Sequence, residues 1–381
     1  MPGIPAHLPR MRRASLSIIS VVLGTLLALL VMEAVLRFLP VNEGARPETV
    51  DPLHPVRSLE PNRTFVWSAD WNFAIVNTVH TNNLGFVNDQ DYVDAPSSPL
   101  LALIGDSYVE ALMVPFRDSV AGRLATRAAS AKRVYSFGTS SSALSNYLTY
   151  AEYAAQRFHP RAMVFVIIGN DFDESLLKYK NEPGHSYFVE DAEGALTLTR
   201  IDYQPSWWRR IIRQSALVRY VTLNTDLLNF LLKWQHLPVG RPSNQLTFVG
   251  NTAAKPDPLR IADAQHAIDT FLARVAGTAG LPPQRILFAV DGMRPHIYDA
   301  TRLNQATGSY FDVMRRYFME QARQRGFEVL DLQPRFIEHY AQHQHPMEFP
   351  TDNHWNALGH EVAEQAIADS ALYGWFRDLT R

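Results

Sequence analysis

The apolar and polar positions divide the chain into three parts: an unbroken apolar run, a proline-punctuated stretch, and a long alternation of short apolar with amphipathic segments. From Ala14 to Met32 there are 19 consecutive uncharged residues rich in Leu, Val and Ile. At about 1.5 Å per residue a helix of that length spans roughly 28 Å, close to the hydrocarbon thickness of a bilayer. Arg10, Arg12 and Arg13 precede the run, and Glu33 and Arg37 follow it. A cleaved signal peptide has an apolar core of about 7–15 residues that ends in a small-x-small site. This run is longer and leads into Met32-Glu33-Ala34-Val35-Leu36-Arg37, which offers no such site. It is apolar on every face, unlike the one-sided stripe of a surface helix. The expected layout is a cytoplasmic tail over 1–13, a transmembrane anchor over 14–36, and export of everything beyond, because the short tail carries the basic cluster.

Residues 37–98 read as a linker and N-terminal extension. Pro40, Pro47, Pro52, Pro55 and Pro61 predict extended chain. Short strands follow over Thr64-Phe65-Val66-Trp67 and Phe73-Ala74-Ile75-Val76. From residue 99 to 376 the alternation predicts one domain. Continuous apolar runs at Leu100–Ile104, Val134–Phe137, Met163–Ile168, Ile286–Val290 and Phe327–Leu330 have the character of strands buried on both faces. Amphipathic stretches separate or follow them, at about Ser119–Ala131, Ala143–Arg157, Ile261–Gly277, Gly308–Arg325 and Ala357–Ala371. Such a pattern predicts a three-layer α/β fold around a parallel sheet.

An insertion over 178–260 interrupts the pattern. It carries a predicted hairpin (Tyr187–Val189 and Ala195–Thr199) and a helix-like run, Arg209–Trp234. An insertion of this size in a compact domain is a subdomain, a cap over a site, or a membrane-facing amphipathic segment.

Composition narrows the function. The chain has 381 residues, of which 46% are hydrophobic and 19% charged, so a disordered chain is excluded. Lys and Arg number 36 against 38 Asp and Glu, a balance that argues against a nucleic-acid partner. There is no cysteine, which excludes disulfide frameworks, thiolate metal sites and cysteine nucleophiles.

The candidate chemistry gathers at strand ends, where open α/β sheets bind their ligands. The first long strand ends in Ile104-Gly105-Asp106-Ser107, the second at Gly138, and the third in Gly169-Asn170-Asp171. Asp352-Asn353-His354-Trp355 precedes the last predicted helix, with Asn356 placed to cap it. A serine nucleophile needs a base, and the base needs an orienting group. His354 and Asp352 can fill those roles. The Ser107 and Gly138 backbone N–H groups and the Asn170 amide are the expected oxyanion donors.

This ordered set resembles the SGNH (GDSL-type) hydrolases, whose name lists four site residues. Ser107, Gly138, Asn170 and His354 fall on those positions, with Asp352 as the triad acid. The resemblance covers about Leu100 to Ala371 and implies a flavodoxin-like five-stranded sheet. It extends to a bacterial subgroup with an N-terminal anchor and an Asn-x-x-Gly-Phe segment, here Asn82 to Phe86. The family's usual Asp-x-x-His spacing is shortened, since Asp352 stands two residues before His354 and position 351 is Thr.

The implied function is a membrane-anchored, periplasm-facing serine esterase that removes O-acyl groups, acetyl foremost. An O-acyltransferase acting on an envelope or exported glycan uses the same residues. A non-catalytic glycan-binding module is the third reading, disfavoured by the intact Ser, Asn and His. The implied partners are an acyl-ester or glycan substrate and a membrane, with no cofactor and no metal. Asp106 reads as a turn residue, Asp171 and Asp173 as helix-start residues, and Asp331 as a turn residue. His339, His343, His345 and His360 lack metal-site spacing. Trp207-Trp208 with Arg209 and Arg210 suits an interfacial belt or carbohydrate stacking.

Overall fold

A computed structural model describes residues 8–95, 97–128, 133–225, 227 and 257–379. The chain divides into two compact units. The smaller comprises Met1–Gly44, Val66–Val76 and Ser206–Pro238; the larger comprises Ala45–Phe65, Asn77–Pro205 and Val239–Arg381.

The smaller unit is built on helix α1 (Leu8–Leu36). Its stretch Ser15–Leu36 is long and apolar enough to cross a membrane and is not buried by the rest of the chain. The boundary between the units runs through a two-stranded ribbon of β1 (Thr64–Ala69) and β2 (Ile75–His80).

The larger unit is built on a five-stranded parallel sheet. Its strands are β3 (Leu100–Gly105), β4 (Arg133–Gly138), β5 (Ala162–Ile167), β8 (Ile286–Val290) and β9 (Glu328–Asp331). The hairpin β6 (Ser186–Glu190) and β7 (Leu196–Arg200) lies between them in sequence. The sheet order β4-β3-β5-β8-β9, all parallel, is the doubly wound 2-1-3-4-5 arrangement.

A one-turn helix, α2 (Ser107–Glu110), follows β3, and α3 (Val120–Arg127) and α4 (Leu144–Phe158) come next. In the insertion are α5 (Trp207–Ile212) and α6 (Ala216–Arg219). The remainder are α7 (Pro258–Ala279), α8 (Ala300–Ala306), α9 (Tyr310–Gln324), α10 (Leu332–His343), α11 (Ala357–Ala368) and α12 (Ala371–Asp378). Helices α4, α7 and α9 pack together as one layer, and α3, α11 and α10 as the other. Every residue of β3, β5 and β8 is buried, as sheets covered on both faces require. Phe165, Phe271, Phe288 and Phe318 meet under one helical layer with ring centroids 5.1–6.3 Å apart. Phe137 and Phe158 are 5.7 Å apart in a second aromatic group with Tyr92 and Tyr135.

The sequence pattern and the structure differ in places. Residues 45–65 are extended but packed: Val50, Val56 and Leu59 are buried, and Pro47 bridges to Leu59. The second ribbon strand starts at Ile75, because Phe73 takes a left-handed turn conformation (φ 57°). The helix-like run Arg209–Trp234 is broken in its described part. Ser215 accepts from Val218 N and starts a new helix there, followed by a wide turn over Tyr220–Asn224. Residues 228–234 of that run lie outside the described residues.

Candidate active site

The residues after β3 turn sharply into α2. Asp106 is the N-cap, its carboxylate accepting from Tyr108 N at 2.9 Å, so Ser107 begins the helix. Two glycines let α2 settle onto the sheet edge. A Cβ at Gly105 would stand 2.4 Å from Val109 Cγ2, and one at Gly138 would stand 2.7 Å from Glu110 N. Neither position has room for a side chain.

His354 arrives from the far end of the chain, 247 residues after Ser107 in sequence, and its Nε2 lies 2.7 Å from Ser107 Oγ. On the other side of the ring, Nδ1 is 2.5 Å from Asp352 Oδ1. The same Oδ1 accepts from His354 N at 2.8 Å. The short Asp352-x-His354 spacing thus makes a tight turn in which one carboxylate oxygen holds both backbone and ring. Burial pushes the Asp352 carboxyl up, but the His354 ring and amide outweigh it and leave the pKa below its ordinary value. Ser107, Asp352 and His354 are half-buried, so the line of three faces solvent.

Strand register sets Gly138 and Asn170 at the same edge. Gly105 pairs with Gly138, and Ile104 pairs with Phe165 two residues before β5 ends. Asn170 Nδ2 donates to Glu174 at 3.3 Å, and Glu174 is paired with Lys180. Asp171 braces this loop as an acceptor from Ile168 N and from Tyr147 Oη, at 2.7 and 2.9 Å. Asp173 opens a short 3-10 turn and pairs with Arg260. Asp331 caps α10 and pairs with Arg315.

Sequence reasoning missed what holds the histidine loop. Arg294, four residues past β8, is completely buried. Its guanidinium is 2.7 Å from Asp291, 3.1 Å from Glu348 and 3.2 Å from the Asn353 carbonyl. Tyr108 Oη donates to the same carbonyl at 2.8 Å, and Trp355 Nε1 donates to Asp291 at 3.2 Å. The residues on both sides of His354 are therefore tied to the end of β8. The strand-end rule that led to Ser107 and Asn170, applied to β8, points to Asp291 as well.

The histidines singled out for their number behave separately. His360 Nδ1 accepts from Val120 N at 3.3 Å, and burial lowers its pKa to about 3. The His339 and His343 rings meet at a tilt, their centroids 4.4 Å apart and their planes at 42°. Among the described residues no group of three His, Asp or Glu is placed to hold a metal ion.

No protein-family model matches the sequence, and no curated protein matches it. Among solved structures its likeness is to GDSL-type lipolytic hydrolases. An α/β hydrolase enzyme from the metagenome of Lake Arreo, Spain, aligns over 74% of this chain and 97% of its own, with 18% identity and a TM-score of 0.38. A G-D-S-L family lipolytic protein of Veillonella parvula covers 72% and 98%, with 11% identity and a TM-score of 0.35. An extracellular lipase of Streptomyces rimosus covers 72% and 100%, with 12% identity and a TM-score of 0.37. The sheet order and the side-chain geometry above are this chain's own.

Two expectations follow. Burial raises the Asp106 pKa to about 6 against the partial relief of the Tyr108 N–H. The folded chain therefore holds this proton more tightly than the unfolded chain, and the resulting stability is complete below the ordinary value of 3.8 and lost as pH rises through about 6. Asp106→Asn keeps the capping oxygen and removes the titration. Its melting temperature should gain on the native chain between about pH 4 and pH 6; a gap that stays flat or narrows would refute the assignment. Arg294→Met strands two buried carboxylates, and denaturant unfolding should register a loss of about 3–5 kcal/mol. Lysine at the same position should recover only part of it, because it lacks the planar fork.

Proposed function

We propose that the chain is a serine ester hydrolase of the SGNH (GDSL) type, acting on O-acyl and foremost O-acetyl esters. The observation that carries this reading is His354 set between Ser107 Oγ at 2.7 Å and Asp352 at 2.5 Å. Ser107 Oγ attacks the ester carbonyl while His354 Nε2 takes the hydroxyl proton, and Asp352 steadies the resulting imidazolium. The Ser107 and Gly138 N–H groups and the Asn170 amide receive the oxyanion; Asn170 Nδ2 has a second hydrogen beyond the one given to Glu174. Collapse breaks the carbon–oxygen bond of the ester, and His354 returns the proton to the departing alcohol. Water then repeats the sequence on the acyl-enzyme and releases the acid and free Ser107.

The same acyl-enzyme can pass its acyl group to a sugar hydroxyl in place of water, which is the O-acyltransfer reading. Mass spectrometry of products, with and without a glycan acceptor, separates the two. The resemblance in sequence pattern and the apolar Ser15–Leu36 helix support a single-pass protein of the bacterial inner membrane, with a tail over 1–13, the catalytic domain over 99–376, and that domain in the periplasm.

Ser107→Ala should lower turnover of an aryl acetate by several powers of ten, as loss of one member of a cooperative triad does, with the circular dichroism spectrum preserved. Asp352→Asn should be damaging as well, through the tautomer of His354. Near-normal turnover by the serine variant would remove Ser107 from the mechanism. The topology is tested with protease added to spheroplasts. Digestion of the domain is expected, and protection would place it in the cytoplasm.

A further inference from the structure

Apart from the anchor, the smaller unit gathers exposed apolar side chains. Every exposed Phe or Trp among the described residues (Phe38, Trp71, Trp207 and Trp208) belongs to it. Helix α5 is the densest part. Trp207 is 74% exposed and Ile211 is 56% exposed, with Trp208 and Ile212 also open. Arg209 and Arg210 lie among them, Arg213 follows, and the Arg209 guanidinium sits 5.4 Å from the Trp208 ring centroid. Among the described residues of the larger unit the exposed large apolar side chains are scattered singly (Leu53, Val93, Leu198, Leu259, Leu379), as on ordinary soluble surfaces.

A direct link ties the start of α6, three residues beyond α5, to the end of the apolar span. The Glu33 carboxylate, in the last turn of α1, accepts from Ser215 Oγ at 2.7 Å, Leu217 N at 2.9 Å and Ala216 N at 3.1 Å. Leu36, Val41 and Ala216 form a small buried cluster beside it. Ile212 is three residues before Ser215, so it can lie no more than about 11 Å from that clamp. The C-terminal end of α5 is therefore held near the level where the span ends, with Trp207 and Trp208 about one helical turn further along α5. Rings of Trp and Arg side chains with aliphatic neighbours are the composition that settles at a bilayer interface.

We propose that α5, with Trp207, Trp208, Ile211 and Ile212 inward and Arg209 and Arg210 toward phosphate, docks on the headgroup layer of the bilayer that α1 crosses. The inference rests on the anchoring reading of α1. The Glu33 clamp makes α5 a second membrane contact, so the smaller unit lies on the surface and does not swing from a single helix.

The absence of cysteine gives unique labelling sites in the full-length chain. Ile211→Cys and Ile212→Cys, each made alone, carry a nitroxide into vesicles of phosphatidylethanolamine and phosphatidylglycerol. Leu23→Cys reports on the anchor. Collision with oxygen, concentrated in lipid, is compared with collision with a water-soluble nickel chelate. The expected result is lipid exposure at 23 and interfacial depth at 211 or 212. Lipid exposure at 23 with bulk-water exposure at both α5 positions would overturn the docking and leave the anchor standing. Water exposure at all three would remove the anchor, and the docking with it.

Discussion

A guanidinium that water cannot reach holds the site together. Arg294 is buried between Asp291 and Glu348, and Nε, Nη1 and Nη2 all donate. Removing these charges from water costs several kcal/mol for each ion, and only complete pairing offsets that cost. Apolar packing of the same volume could be as stable, but it would accept small slides of the loop. The fork of Arg294 accepts one arrangement of Glu348 and of the Asn353 carbonyl, and so fixes the backbone next to His354. The reach from His354 to Ser107 follows from that constraint.

The acids around the site have been pushed in opposite directions by their surroundings. Burial raises Glu110, held by Ser140, and raises Asp171 further, with the charge of Asp106 adding to it. Asp352 alone of the four falls below its ordinary value, because His354 answers its charge at both ring and amide. Negative charge is therefore favoured beside the histidine on Asp352, and is costly on Glu110, Asp106 and Asp171. Such a split is the usual physical basis for giving carboxyl groups different roles in one site.

Much of this was legible in sequence because its causes are local. Strands buried on both faces must be apolar throughout, so β3, β5 and β8 stood out, and Gly105, Ser107 and Asn170 could be read from where those runs stop. Asp352 and His354 share one turn, so they could be paired from sequence even though their spacing is one residue shorter than the family's usual Asp-x-x-His. Arg294 was not legible. Its partners lie three residues before it and 54 residues after it, and no periodicity marks an arginine that will be buried. The break at Ser215 was hidden for a related reason. Helical spacing continues through it, and only the clamp on Glu33, 182 residues away, shows why a new helix begins there.

The distance along the chain between Ser107 and His354 also has a meaning in time. Ribosomes add about 5–20 residues each second, so roughly 10–50 s separate the synthesis of the two residues. Early in that interval β3, β4 and β5 can pair before β8 (Ile286–Val290) and β9 (Glu328–Asp331) are made, and the histidine loop comes last. Until residue 290 is made the edge of β5 that will receive β8 stays open, and Ser107 waits longer still for the His354 ring. Until β8 is made, the chief hazard to such a chain is pairing at this unfinished sheet edge.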